Sequence, residues 1–140
     1  MATLEAVIAD VAATIAAVTG IRAAPASPDD NLNVTPFAIT YPGTGIASPG
    51  VPGERLNLDS IVIELHVAKR DMPRDIATAL PFVDSIPNAL MTRFTTNQWS
   101  STIETFATIE WTFQDLDWMG LQTIGFRFIV TGIKRRINNT

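Results

Sequence analysis

Residues Ile103–Val130, IETFATIEWTFQDLDWMGLQTIGFRFIV, decide how the chain is read. Ile103, Thr105, Ala107, Ile109, Trp111 and Phe113 share one parity, and Glu104, Thr108, Glu110 and Thr112 share the other. Alternation with a period of two is the pattern of a strand buried on one face only, and such strands pair antiparallel. Gln114 to Gly120, rich in Asp, reads as a turn, after which Ile124, Phe126, Phe128 and Val130 alternate again. The segment therefore predicts a long hairpin.

Upstream of it, Pro73 to about Arg93 carries apolar residues at helical spacing (Ile76, Leu80, Val83, Ile86, Leu90) with Pro73 suited to a first turn. Pro81 and Pro87 predict a kink or a division there. A strand is expected from about Arg55 to Lys69. Leu56 and Leu58 lie on one parity and Ile61, Ile63, Leu65 and Val67 on the other, which requires a bulge near Asp59 and Ser60. Pro42 to Gly53 holds three prolines and four glycines, which excludes helix and central strand and predicts an extended loop. Before it, Phe37, Ile39 and Tyr41 alternate as a short strand, and Ile21 to Ala24 reads as extended. At the start, Thr3 caps a helix whose Leu4, Val7, Ile8, Val11, Ile15 and Val18 form one apolar stripe, with Gly20 as its stop. The opposite face is mostly Ala and Thr, small enough for another helix or a neighbouring subunit to approach.

These elements give an α+β chain: a mainly antiparallel sheet with two helical regions packed on one face. A length of 140 residues fits a single domain, 1–140, with the Pro/Gly-rich loop at 42–53. Apolar residues make up 46% and charged residues 17%, and mean hydropathy is slightly positive, which points to apolar surface covered by another chain. The net charge is −4 with the acids scattered, so no basic stripe exists to neutralise phosphates. The absence of cysteine excludes disulfides, thiolate metal sites and a cysteine nucleophile. Met1 to Gly20 is interrupted by Glu5 and Asp10 and lacks a basic start, so it reads as a helix of a cytoplasmic protein, with no membrane as a partner.

His66, the one histidine, follows Glu64 by two residues, so the two side chains share a strand face. Such a pair can transfer protons. No serine stands in a nucleophile-elbow pattern, and the neighbours are ordinary strand residues, which favours a solvent-facing strand histidine over a catalytic one. Asp115 with Asp117, and Asp29 with Asp30, lack the spacing of a calcium loop and fit turn chemistry. Gly43, Gly45, Gly50 and Gly53 do not form a phosphate loop. No catalytic residue, cofactor or metal ligand is expected. Lys134, Arg135 and Arg136 read as a solvated strand end that discourages edge pairing, or as a contact with an acidic partner or passing DNA. Trp118 and Met119 stand at the hairpin tip, and Ile46 and Val51 in the Pro/Gly segment, where large apolar side chains want a cover. Ile46, Val51, Trp118, Met119, Lys134, Arg135 and Arg136 are therefore the candidate contacts with partners or sister copies.

Thr112–Val130, TFQDLDWMGLQTIGFRFIV, resembles the closing segment of phage tail terminator (tail-completion) proteins, with an aromatic strand, a turn holding Trp and Gly, and a strand of alternating aromatics. The N-terminal helix followed by an extended stretch, the mid-chain strand followed by Arg70, Asp71 and a helix, and the length are similar too. The resemblance implies a structural virion protein, not an enzyme. It implies a homo-oligomeric ring, commonly a hexamer, that caps the tail tube and joins it to the head. The implied partners are sister copies, the tail tube protein and head-to-tail connector proteins, with DNA only in transit. The implied location is the tail or neck of the virion, after assembly in the host cytoplasm. The neighbouring alternative is another phage neck or head-to-tail connector protein. An alternative of a different class is a small-ligand or metal-binding domain built on His66, Glu64 and the aspartates, and an enzyme ranks last.

Overall fold

A computed structural model of the chain describes residues 2–25, 34–48, 56–96 and 102–136. Its elements are α1 (Leu4–Ala16), β1 (Phe37–Ser48), β2 (Leu56–Ala68), α2 (Met72–Ala79), α3 (Pro81–Met91), β3 (Ile103–Thr105), β4 (Thr108–Trp118) and β5 (Leu121–Arg135), with a π-helical turn at Thr92–Thr96. The sheet runs β1-β2-β5, and β3 and β4 share the far side of β5. All these pairings are antiparallel. The fold is thus α+β, with the helical regions on one face of a mainly antiparallel sheet.

Strand parity builds the core. Ile61, Ile63, Leu65 and Val67 of β2 lie beside Val130, Phe128, Phe126 and Ile124 of β5. Val7, Val11 and Ile15 of α1 and Ile86 and Leu90 of α3 join the same buried cluster. Thr3 caps α1, its Oγ1 accepting from the Ala6 N–H at 3.1 Å, and Glu5 sits in the first turn where the helix dipole favours it. The helix ends at Ala16, earlier than Gly20. Gly20 serves the exit instead: its φ is 96°, and a Cβ there would stand 3.0 Å from the Phe82 ring.

Pro81 divides the second helical region, as its sequence predicts, and opens α3. Pro87 lies inside α3 without ending it, because Ile86 and Leu90 on either side are anchored in the core. At the start of α2 the buried Asp75 accepts the N–H groups of Arg70 and Asp71 at 2.7 and 2.9 Å, satisfying donors the helix cannot.

The bulge expected near Asp59 and Ser60 is present as a register shift between Asp59 and Ile61 against β5. Over residues 42–48 the expected loop is replaced by strand: β1 continues through Pro42 to Ser48, with a shift between Pro42 and Gly45. β1 is an edge strand, and the Ala38 N–H points away from β2, to the Ala23 carbonyl at 2.9 Å. Pro42 shares that parity, so its missing N–H falls on the outer side and costs the ladder nothing. Val51 and the rest of 49–53 lie outside the described residues. The hairpin is present, but its turn is shorter than Gln114 to Gly120. β4 reaches Trp118, which pairs with Leu121, leaving Met119 and Gly120 as the whole turn. Their φ values of 51° and 87° identify a type I′ turn.

Candidate functional site

The sheet face away from the core cluster holds the densest polar constellation among the described residues. Register alone assembles it. One row reads Phe37, His66, Gly125, and the next reads Ile39, Glu64, Arg127. Tyr41 lies two residues along β1, on the same face.

Glu64 is the hub. Its Oε2 accepts from the Tyr41 hydroxyl and from Arg127 Nη2 at 2.9 Å and Nε at 3.3 Å. Its Oε1 lies 3.0 Å from His66 Nε2. The other ring nitrogen, Nδ1, meets the Thr123 hydroxyl at 2.5 Å. One neutral tautomer satisfies both: Nε2–H donates to the carboxylate and Nδ1 accepts from Thr123. The ring also stacks on Phe37, with centroids 4.5 Å apart and planes 9° from parallel.

His66 is thus 0% exposed, which corrects the solvent-facing placement expected from its strand. Alternation reveals that two faces differ but not that both are covered, and here Phe37 and Ile39 are fully buried on the second face. Burial raises the Glu64 carboxyl, but hydrogen bonds from His66, Tyr41 and Arg127 outweigh it and hold the pKa at about 2. Burial, then the adjacent carboxylate, pushes the Tyr41 hydroxyl up to about 12. The Arg127 guanidinium is raised chiefly by its bonds to Glu64. Each group in the cluster is engaged by another, so its chemistry is that of a clamp joining β1, β2 and β5.

The raised Tyr41 hydroxyl has a measurable consequence. Its folded pKa lies above the unfolded value of 10, so its contribution is complete below pH 10 and is lost as pH rises through about 12. Chemical denaturation at a series of alkaline pH values should show that loss, and Tyr41→Phe should flatten the curve in that window.

The other candidate residues are dispersed. Ile46 is 68% exposed near the C-terminal end of β1, and Met119 is 65% exposed at the hairpin turn. Trp118 is half-buried. Lys134, Arg135 and Arg136 do not form one basic patch, because strand alternation sends neighbours to opposite faces. Lys134 lies 3.7 Å from Glu104. Arg135 forks onto the buried Asp59 at 2.6 and 3.0 Å, and its guanidinium is raised by those bonds. The Arg136 backbone pairs with Thr102 and Ala2. Asp115 and Asp117 both lie in β4, and of the two only Asp117 serves the turn. Asp115 pairs with Lys69 at 3.1 Å, and Asp117 accepts the Gly120 N–H at 3.0 Å. Asp29 and Asp30 lie outside the described residues. No cluster of three or more His, Asp or Glu suited to a metal occurs among the described residues. The small-residue face of α1 meets α3 across an open groove of about 710 Å³, floored by Ala13, Thr14, Ala17 and Ala89. No described helix is long and apolar enough to cross a membrane.

Glu64 and His66 are visible in sequence as a same-face pair, but nothing local to either attaches Tyr41 or Arg127 to them. The signal lay in parity: once β1 and β5 flank β2, position 41 and position 127 must fall on that face. No protein-family model matches the chain, and comparison with curated proteins finds none similar to it.

Proposed function

We propose that the chain is a ring-forming structural subunit of a virion, of the tail terminator type. The observation that carries this reading is Met119. A type I′ turn wants Asn or Gly at both central positions, and a methionine at φ 51° costs about 1 kcal/mol. That strained residue is also 65% exposed, so the fold gains nothing evident from it. Strain retained without benefit to the fold points to a contact made outside the subunit.

A second exposed apolar residue sits far away. Ile46 lies in the row of Leu58 and Lys134, while Met119 lies beyond Leu121, at the other end of β5 and on the opposite side of the sheet. The thirteen-residue offset along β5 separates those rows by roughly 40 Å. Two unlike exposed apolar residues at diagonal corners suit a heterologous interface that closes into a ring, one corner of each copy meeting a different corner of the next. The resemblance of Thr112–Val130 to tail terminators supplies the kind of ring.

Two measurements test the reading. Mass in solution should be that of a closed oligomer, and the purified protein should stop the growth of tail tubes; a connector protein would form rings without arresting tubes. A monomer at all concentrations, with tubes growing unchecked, would remove it. Met119→Asn separates fold from assembly. Relief of the turn should raise the melting temperature by about 3 °C. Loss of the apolar contact should weaken self-association by about tenfold or more, read by light scattering.

A further inference from the structure

β4 is an open edge. It pairs with β5 over Thr108–Trp118 without a register shift, and no strand covers its other side among the described residues. In a two-residue hairpin the flanking pair, Trp118 and Leu121, exchanges both backbone hydrogen bonds. Counting back by twos, Leu116, Gln114, Thr112, Glu110 and Thr108 also direct their backbone groups to β5. Ile109, Trp111, Phe113, Asp115 and Asp117 direct theirs outward, which leaves five donors and five acceptors in line on the free side. The two edges of the sheet differ in this respect. β1 interrupts its outer side with Pro42 and a register shift, devices that blunt strand pairing. β4 has neither.

The side chains along that edge define what it accepts. Trp111 is 53% exposed and leans edge-on against Phe126 at 5.3 Å. Asp115 and Asp117 share its face, and Glu110 projects from the other, all three exposed. Glu104 continues the acidic line at β3. The cations facing it are Lys69, held by Asp115, Lys134, beside Glu104, and Arg127, opposite Thr112 but engaged by Glu64. Glu110 and Asp117 have no ion-pair partner among the described residues. A second β4 edge would bring like charges together, whereas a cationic strand would neutralise them and could lay a cation over Trp111.

We infer that the outer edge of β4 is a strand-addition site for an extended, lysine- or arginine-bearing segment of another protein. The backbone ladder supplies affinity, and the acids on both faces select the sign of charge. This site is distinct from the hairpin turn and from Ile46, and it stands or falls independently of ring formation.

The probe is a capped ten-residue peptide of alternating lysine and threonine, added to the full chain. Hydrogen exchange at the Trp111, Phe113 and Asp115 amides should slow on binding, while exchange at the Thr112 and Gln114 amides, already bonded to β5, should not change. The same peptide with alternate backbone nitrogens methylated should lose that protection, and a glutamate–threonine peptide should not bind. Asp115→Asn should weaken binding about threefold through charge alone. Asp115→Pro, which also removes an outward donor but no β5 bond, should weaken it about tenfold. An unchanged thermal melt for Asp115→Asn keeps the comparison valid if Asp115→Pro unfolds. Equal binding of the acidic peptide, absence of amide protection, or protection of these amides by self-association without peptide would each overturn the assignment.

Discussion

Glu64→Gln should lower stability by about 3 kcal/mol and the melting temperature by about 10 °C. The substitution preserves shape and the bond from His66, but it turns an amide N–H₂ toward the Arg127 guanidinium, which has no acceptor, and toward the Tyr41 hydroxyl, which loses the acceptor of its own proton. Breaking a buried pair by removing one partner costs about 3–5 kcal/mol; the half-exposed Arg127 can turn to water, which keeps the loss at the lower end. The pH dependence identifies the cause. Glu64 has a folded pKa near 2 against an ordinary value of 4.5, so its contribution is present above pH 4.5 and disappears as pH falls through about 2. Urea titrations across that window should show the loss in the parent protein and a shallower slope in the variant. An unchanged melting temperature with an unchanged acid slope would mean that the clamp contributes nothing.

Gly125→Ala should cost about 4 kcal/mol or abolish folding. A Cβ at this position would stand 1.8 Å from the Leu65 carbonyl oxygen and 2.9 Å from its carbon. Both atoms are backbone in the middle of β2, where Leu65 pairs with Phe126, so relief requires the two central strands to part. Gly120→Ala provides the contrast. It too is a glycine of the hairpin, with φ 87°, but its Cβ would meet nothing within 4 Å. Only conformational strain remains there, about 1 kcal/mol. Circular dichroism melts of the two variants should differ sharply, and a Gly125→Ala protein melting within a few degrees of the parent would refute the close crossing of β2 and β5.

Most of the architecture follows from patterns visible in sequence. The Thr3 cap, the bulge after Asp59, the division at Pro81 and the closing hairpin each rest on a local rule, and each appears where that rule puts it. The failures are of another kind. β1 runs on through Pro42 because an outward-facing proline is harmless on an edge, and whether a strand is an edge is a property of the assembled sheet. The polar clamp depends on which strands flank β2, information that no window along the chain contains. The burial of His66 escapes its own strand for the same reason: that strand indicates a face, and only Phe37, arriving from β1, shows that the face is closed. The exposed corners at Ile46 and Met119 were legible because a large apolar side chain in a turn or a glycine-rich stretch contradicts its surroundings locally.

β5 is the central strand, pairing with β2 on one side and with β3 and β4 on the other, and it follows all of them in the chain. On a ribosome, of the ladders among the described residues, only β1–β2 can form before residues 121–135 emerge. The apolar row of β2, even with α1 and α3 already made to lie over its face, has no strand beside it on that side until β5 is made. Sheet completion is therefore a late and abrupt event, governed by non-local pairing, and nascent chains stalled before residue 121 should be the species that chaperones hold.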